Sequence, residues 1–167
     1  MSLSEAVARA PDLILAWGNR SRGDDAVGPL LLDAVQARLV ELGPEASRPD
    51  LIEEFQLQPE NVMDLVGRRR VLFVDASAPG SLGDAPYDLT PLQPGPMGVS
   101  YTTHQMAPSA LLSVLMQMYG PQVPECAVLA IRTRQFELGT DPDPQTRCDL
   151  DLAIHRAMAW VRAAGHT

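Results

Sequence analysis

Three polar clusters hold the residues that could do chemistry: Gly18-Asn19-Arg20-Ser21-Arg22-Gly23-Asp24-Asp25, Asp75-Ala76-Ser77 and Thr102-Thr103-His104-Gln105. Asp25, Asp75 and His104 together would offer two carboxylates and one imidazole. That donor set suits a divalent transition metal: imidazole favours nickel or zinc, and carboxylates add charge without the softness of a thiolate. Three protein donors leave coordination positions open for a group that a partner brings, as in a working site and unlike a closed structural one. Asp24 stands next to Asp25 and is a weaker candidate for a supporting or general-base role. The missing groups narrow the chemistry further. All 13 basic residues are arginine, so neither a phosphate-binding P-loop nor a Schiff-base lysine is available. No Gly-x-Ser-x-Gly elbow, Ser/His/Asp order or catalytic cysteine motif is present. Cys126 and Cys148 have no C-x-x-C partner, which supports neither a disulfide framework nor a structural zinc site.

Each candidate also has an ordinary explanation. Asp24 or Asp25 can cap the helix that follows, because a carboxylate there satisfies free backbone N–H groups. Both readings hold together if Asp24 caps and Asp25 points into the crevice at the end of the sheet. Asp75 is harder to explain so, since a carboxylate directly after the apolar run Val71–Val74 is costly to bury unless paired or metal-bound. His104 can be a helix-entry histidine bonded to backbone. His155 and His166 receive no role. Cys126 reads as a small core residue, and Arg68-Arg69-Arg70 as the top of a helix C-terminus or a solvated patch.

The surrounding elements alternate. Asp12–Trp17 is an apolar run ended by Gly18-Asn19 and reads as a buried strand. Leu31, Val35, Leu39 and Leu42 recur at helical spacing up to Gly43-Pro44, and Pro29 fits only a first turn, so this helix starts near Ala26–Gly28. A weaker strand over Asp50–Phe55 and a short helix over Pro59–Val66 follow. Val71–Val74 is the clearest strand, β-branched and apolar. Between Pro79 and Gly98 stand five prolines and four glycines, too many for a helix; this is a long connection holding an edge strand near Tyr87–Leu92. Pro108–Tyr119 is an amphipathic helix, Cys126–Ile131 a buried strand, and Leu150–Val161 the closing helix after a polar segment, Thr133–Pro144.

Such alternation predicts one α/β domain over residues 1–167: a three-layer, doubly wound, mostly parallel twisted sheet of about five strands with helices on both faces. In a parallel sheet every strand-to-helix connection leaves the carboxyl end of its strand, so the three polar clusters share one rim. With flavodoxin-like strand order, the first and third strands meet at the switch point, where ligands bind. Asp25 and Asp75 then face each other, and His104 enters from the loop before the third long helix.

A formal net charge of -8 without a long basic run argues against nucleic acid and anionic membrane as partners. With 46% hydrophobic residues the chain is ordinary globular material. The N-terminus lacks a basic, then apolar, leader pattern, and no stretch reaches the ~18 apolar residues of a membrane span. A cytoplasmic protein is the expectation.

Together these residues resemble a known family. Gly18-Asn19-x-x-x-x-Asp24-Asp25-x-x-Gly28 after a strand is similar to the N-terminal signature of the hydrogenase maturation peptidases, which clip the C-terminal extension from the large subunit of [NiFe]-hydrogenases. Val74-Asp75-Ala76 is similar to that family's second metal-ligand segment and Thr103-His104-Gln105 to its third. The resemblance implies that Asp25, Asp75 and His104 are metal ligands. It also implies that the metal is nickel carried by the large-subunit precursor, that other divalent ions can occupy the site, and that no organic cofactor takes part. Ala26 stands where many members have glycine. Gln56-Leu57-Gln58-Pro59-Glu60-Asn61, with Asp-Asp-Ala-Val-Gly, resembles the branch serving bidirectional, NAD-reducing soluble hydrogenases. Arg20 and Arg22 lie where they could touch the precursor tail. Two other readings remain: a flavodoxin-like nucleotide or flavin binder, disfavoured by adjacent aspartates that would repel phosphate, and a nickel metallochaperone that cuts nothing.

Overall fold

The computed structural model describes residues 8–44, 48–95 and 106–166. Strands β1 (Asp12–Trp17), β2 (Asp50–Glu54), β3 (Arg70–Ala76), β4 (Tyr87–Leu92) and β5 (Glu125–Ile131) alternate with helices α1 (Val27–Leu42), α2 (Val62–Leu65), α3 (Pro108–Tyr119) and α4 (Pro144–Arg162). The sheet order is β2-β1-β3-β5-β4. The first four pair in parallel, and β4 runs antiparallel to β5 along one edge. The expected α/β architecture of about five strands is therefore the observed one. Among the described residues no helix is long and apolar enough to cross a membrane.

Strand periodicity sorts the core into two layers. Ile14 and Ala16 of β1, Leu72 and Val74 of β3, and Leu129 and Ile131 of β5 face α1 and α4. Leu13, Leu15, Trp17, Val71, Phe73 and Cys126 face α2 and α3, where Leu65, Leu111, Leu112 and Leu115 complete the layer. Both layers cover β1 and β3, which explains why these strands read as continuous apolar runs. Cys126 lies in the core as expected, and burial pushes its thiol up to about 12.

Two expectations need correcting. α4 starts at Pro144, well before Leu150, with Asp143 as its cap accepting from Gln145 N–H; its first turns are amphipathic only through buried Thr146 and Leu150, so the apolar spacing begins late. The arginine run is not a solvated patch. Arg68 does close α2, through Nε to Asp64 O at 2.9 Å, and it also pairs with Asp50. Arg69 and Arg70 both pair with buried Asp12, and Arg70 stacks 4.1 Å from the Trp160 ring. These contacts fasten the amino ends of the strands, opposite the rim of interest.

Candidate functional site

The loop between β1 and α1 is shaped by its glycines. Gly18 has φ +150, and a Cβ there would lie 2.0 Å from Asp25 O; at Gly28 it would lie 2.7 Å from Trp17 O. Only glycine lets the loop fold this tightly against its own strand. Asn19 then organises the turn: its Oδ1 accepts from Ser21 N–H at 2.9 Å, and its N–H donates to Asp25 Oδ2 at 2.9 Å. The chain enters α1 through a 3-10 turn, Gly23–Ala26, which packs against β3.

Neither aspartate caps α1, whose cap residue is Ala26 with no side-chain hydrogen bond. Asp24 turns the other way. It is fully buried. Its Oδ2 accepts from Arg134 N–H (2.6 Å), Gln135 N–H (3.1 Å) and Thr146 Oγ1 (2.8 Å), and its Oδ1 from Asp143 N–H at 2.7 Å. With both oxygens engaged by donors from the β5–α4 connection and the start of α4, Asp24 holds the loop in place, and the geometry gives no support to a general-base role.

Asp75 occupies the carboxyl end of β3, level with Ala130 of β5 and one step beyond the Ala16–Val74 pair of β1 and β3. Strand alternation turns it to the face shared by Val71 and Phe73. Its acidity is strongly perturbed. Burial first, and the Asp25 charge with it, push it up from 3.8 to about 7 against the lowering influence of Ala76 N–H and the Trp17 indole. The structure thus brings Asp25 and Asp75 together at one rim. Among the described residues no group of three His, Cys, Asp or Glu side chains gathers to hold a metal. His104, with Thr103 and Gln105, lies outside the described residues.

On the β2 side of the same loop a cavity of about 370 Å³ opens, lined by Gly18, Asn19, Arg20, Glu53, Glu54 and Phe55 and by neither Asp25 nor Asp75. Arg20 does not reach out toward a partner: it pairs with Asp33 at 2.8 Å and Glu53 at 2.7 Å, holding both carboxyls below their ordinary range. Arg22 Nε donates to Phe136 O at 3.1 Å. The segment after β2 is folded, with Gln58 N–H on Asn61 Oδ1 at 2.8 Å and Asn61 Nδ2 on Glu54 at 2.9 Å. A cleft of about 690 Å³, lined by Arg68, Arg69, Tyr119 and Pro124 among others, lies at the opposite end of the strands and contains none of the candidate residues.

The residues that sequence reasoning passed over are Thr133, Arg134 and Gln135. They follow β5 after a single residue, Arg132, so the rule that assembled the other clusters at strand carboxyl ends applied to them equally.

No family model matches the sequence, and no curated protein matches it. Solved structures do. The fold is similar to that of the hydrogenase-maturating endopeptidase HybD from Escherichia coli, with a TM-score of 0.68 at 18% identity, covering 95% of this chain and 94% of that one. The [NiFe] hydrogenase maturation protease HycI from Thermococcus kodakarensis gives 0.62 at 21% identity over 93% and 94%. The endopeptidase HycI from Escherichia coli gives 0.59 at 22% identity over 89% and 90%. The chain has the fold of the hydrogenase maturation proteases over nearly its whole length.

Proposed function

We propose that this protein is a hydrogenase maturation endopeptidase. It removes the C-terminal extension of a [NiFe]-hydrogenase large-subunit precursor that already carries nickel, and Asp25, Asp75 and His104 complete the coordination of that nickel. The reading rests chiefly on one observation: on this fold, Asp25 and Asp75 meet at the carboxyl rim, close enough for one charge to disfavour the other. Two carboxylates that repel at a half-buried site are stabilised together by a cation between them. α3 begins four residues after His104 and packs on the face to which Asp75 turns, which supports an imidazole as third donor.

The chemistry is hydrolysis of one peptide bond. Docking through the nickel places the scissile bond beside the crevice, and positioning of this kind supplies several kcal/mol of barrier lowering. Held by Asp25, Asp75 and His104, the ion would supply Lewis-acid character at the crevice. Asp24 positions the loop. The residues Gln56-Leu57-Gln58-Pro59-Glu60-Asn61, with Asp24-Asp25-Ala26-Val27-Gly28, support assignment to the branch that serves soluble NAD-reducing hydrogenases.

The test uses nickel-loaded and nickel-free precursor, with mass spectrometry of the carboxyl terminus of the large subunit. Nickel-loaded precursor is shortened by the wild-type protein and left intact by Asp25→Ala, Asp75→Ala and His104→Ala; nickel-free precursor stays uncut. Cleavage retained in those variants removes the residues from the mechanism.

A further inference from the structure

The carboxyl end of β5 carries a fastening that the proposed reaction does not use. Three successive residues, Thr133, Arg134 and Gln135, are bonded to both segments that bear a candidate carboxylate. On one side Thr133 Oγ1 donates to Ser77 O, while Ser77 N–H donates to Ile131 O at 2.9 Å. Ser77 stands two residues beyond Asp75. On the other side Arg134 N–H and Gln135 N–H donate to Asp24 Oδ2, and Asp24 N–H returns a bond to Gln135 O at 3.0 Å. Asp24 immediately precedes Asp25. Thr133 is 2% exposed and Asp24 0%, so neither can exchange these bonds for water.

The two carboxylates belong to segments far apart in the chain. The pairing of β1 with β3 ends at Ala16 and Val74, and beyond it this turn is hydrogen-bonded to both segments. We propose that Thr133–Gln135 is a positioning strap that sets the spacing between Asp25 and Asp75, with Thr133 the positioning residue on the Asp75 side. The proposal rests on the reading of Asp25 and Asp75 as the metal-facing pair. An ion held by few donors is sensitive to their placement, and groups that orient ligands from behind commonly change metal affinity 10–100-fold. Thr133 itself touches no ion.

The experiment exploits Trp17, whose indole faces Asp75. In isolated protein carrying Trp160→Phe, Trp17 is the remaining tryptophan, and nickel bound beside it quenches its fluorescence. Titration with nickel chloride then yields a Kd. Thr133→Val is expected to raise that Kd about tenfold, and Thr133→Ser to restore it. Ile154→Val, a truncation in the opposite core layer, is expected to lower stability and leave the Kd unchanged. If the valine variant fails to fold, Thr133→Ala reports the same loss. Equal weakening by Thr133→Val and Ile154→Val, or none by Thr133→Val, overturns the strap while the carboxylate site stands. A parent protein that binds no free nickel overturns the strap, while the reading of precursor-borne nickel is decided separately by the cleavage assay.

Discussion

Asp75→Asn should make the metal-free protein more stable at neutral and alkaline pH while abolishing cleavage. In the folded chain burial, then the neighbouring Asp25 charge, carry the Asp75 carboxyl from 3.8 to about 7. The folded value lies above the unfolded one. Folded protein therefore keeps its proton where the unfolded chain has lost it, and stability falls as pH rises from about 4 through about 7. At about 1.4 kcal/mol per tenfold change in proton affinity, the full difference is about 4 kcal/mol. Part of the side chain still meets water at the rim, so about 2 kcal/mol is the expected measured effect. Asparagine keeps the shape and cannot ionise, so its stability should lack this decline. Urea unfolding in chelator-treated buffer, at steps from about pH 4.5 to about pH 8.5, compares the two proteins. Curves that converge at the acid end and separate by about 2 kcal/mol at the alkaline end meet the expectation. Parallel curves would mean that the Asp75 carboxyl is unperturbed, because only a raised carboxyl produces such divergence. A residue that costs stability and is needed for cleavage is a residue kept for its chemistry.

Three further outcomes are expected. Asp24→Ala leaves three partly buried backbone N–H groups and the buried Thr146 hydroxyl without their acceptor; at about 1 kcal/mol each it should cost about 4 kcal/mol in urea unfolding, with Asp24→Asn losing roughly half that. Gly18→Ala places a methyl 2.0 Å from Asp25 O and should lower stability by more than about 3 kcal/mol, whereas Gly43→Ala, with open space around it and φ +83, should cost only about 1–2 kcal/mol in the same thermal melt. At Asp12 burial acts to raise the carboxyl, but Arg70 and Arg69 outweigh it and hold it below 3.8. That stabilisation is present above the ordinary carboxylate range and lost as pH falls through the depressed value. Asp12→Asn, which strands a buried arginine, should cost about 3–5 kcal/mol at neutral pH and flatten the acid limb of the stability curve.

Much of the frame is visible in residue order because the signals involved are local. β1 and β3 are apolar runs bounded by polar punctuation, and α1 and α3 show their buried faces at helical spacing. The rim also followed from order alone, since a parallel sheet sends its connections out at one end. Asp24 shows where such reading stops. A capping preference weighs the few residues that follow, yet the groups that captured this carboxylate lie more than 100 positions away. Arg20 and Arg70 follow the same pattern, their carboxylate partners standing on elements that only folding brings near. The start of α4 was hidden because its exposed turns are polar, and only Thr146 and Leu150 mark the buried side.

The antiparallel margin strand has an effect beyond architecture. Pro91 stands within β4 and has no amide hydrogen to offer a sixth strand. The other margin, β2, carries Asp50, Glu53 and Glu54, the first two paired with Arg68 and Arg20, a charged edge that discourages a flat, oily neighbour. Lateral stacking of copies into ribbons is thereby discouraged on both flanks. A crowded cell would find this molecule hard to recruit sideways, and a visitor able to hold on must come in over the top, where the strands end.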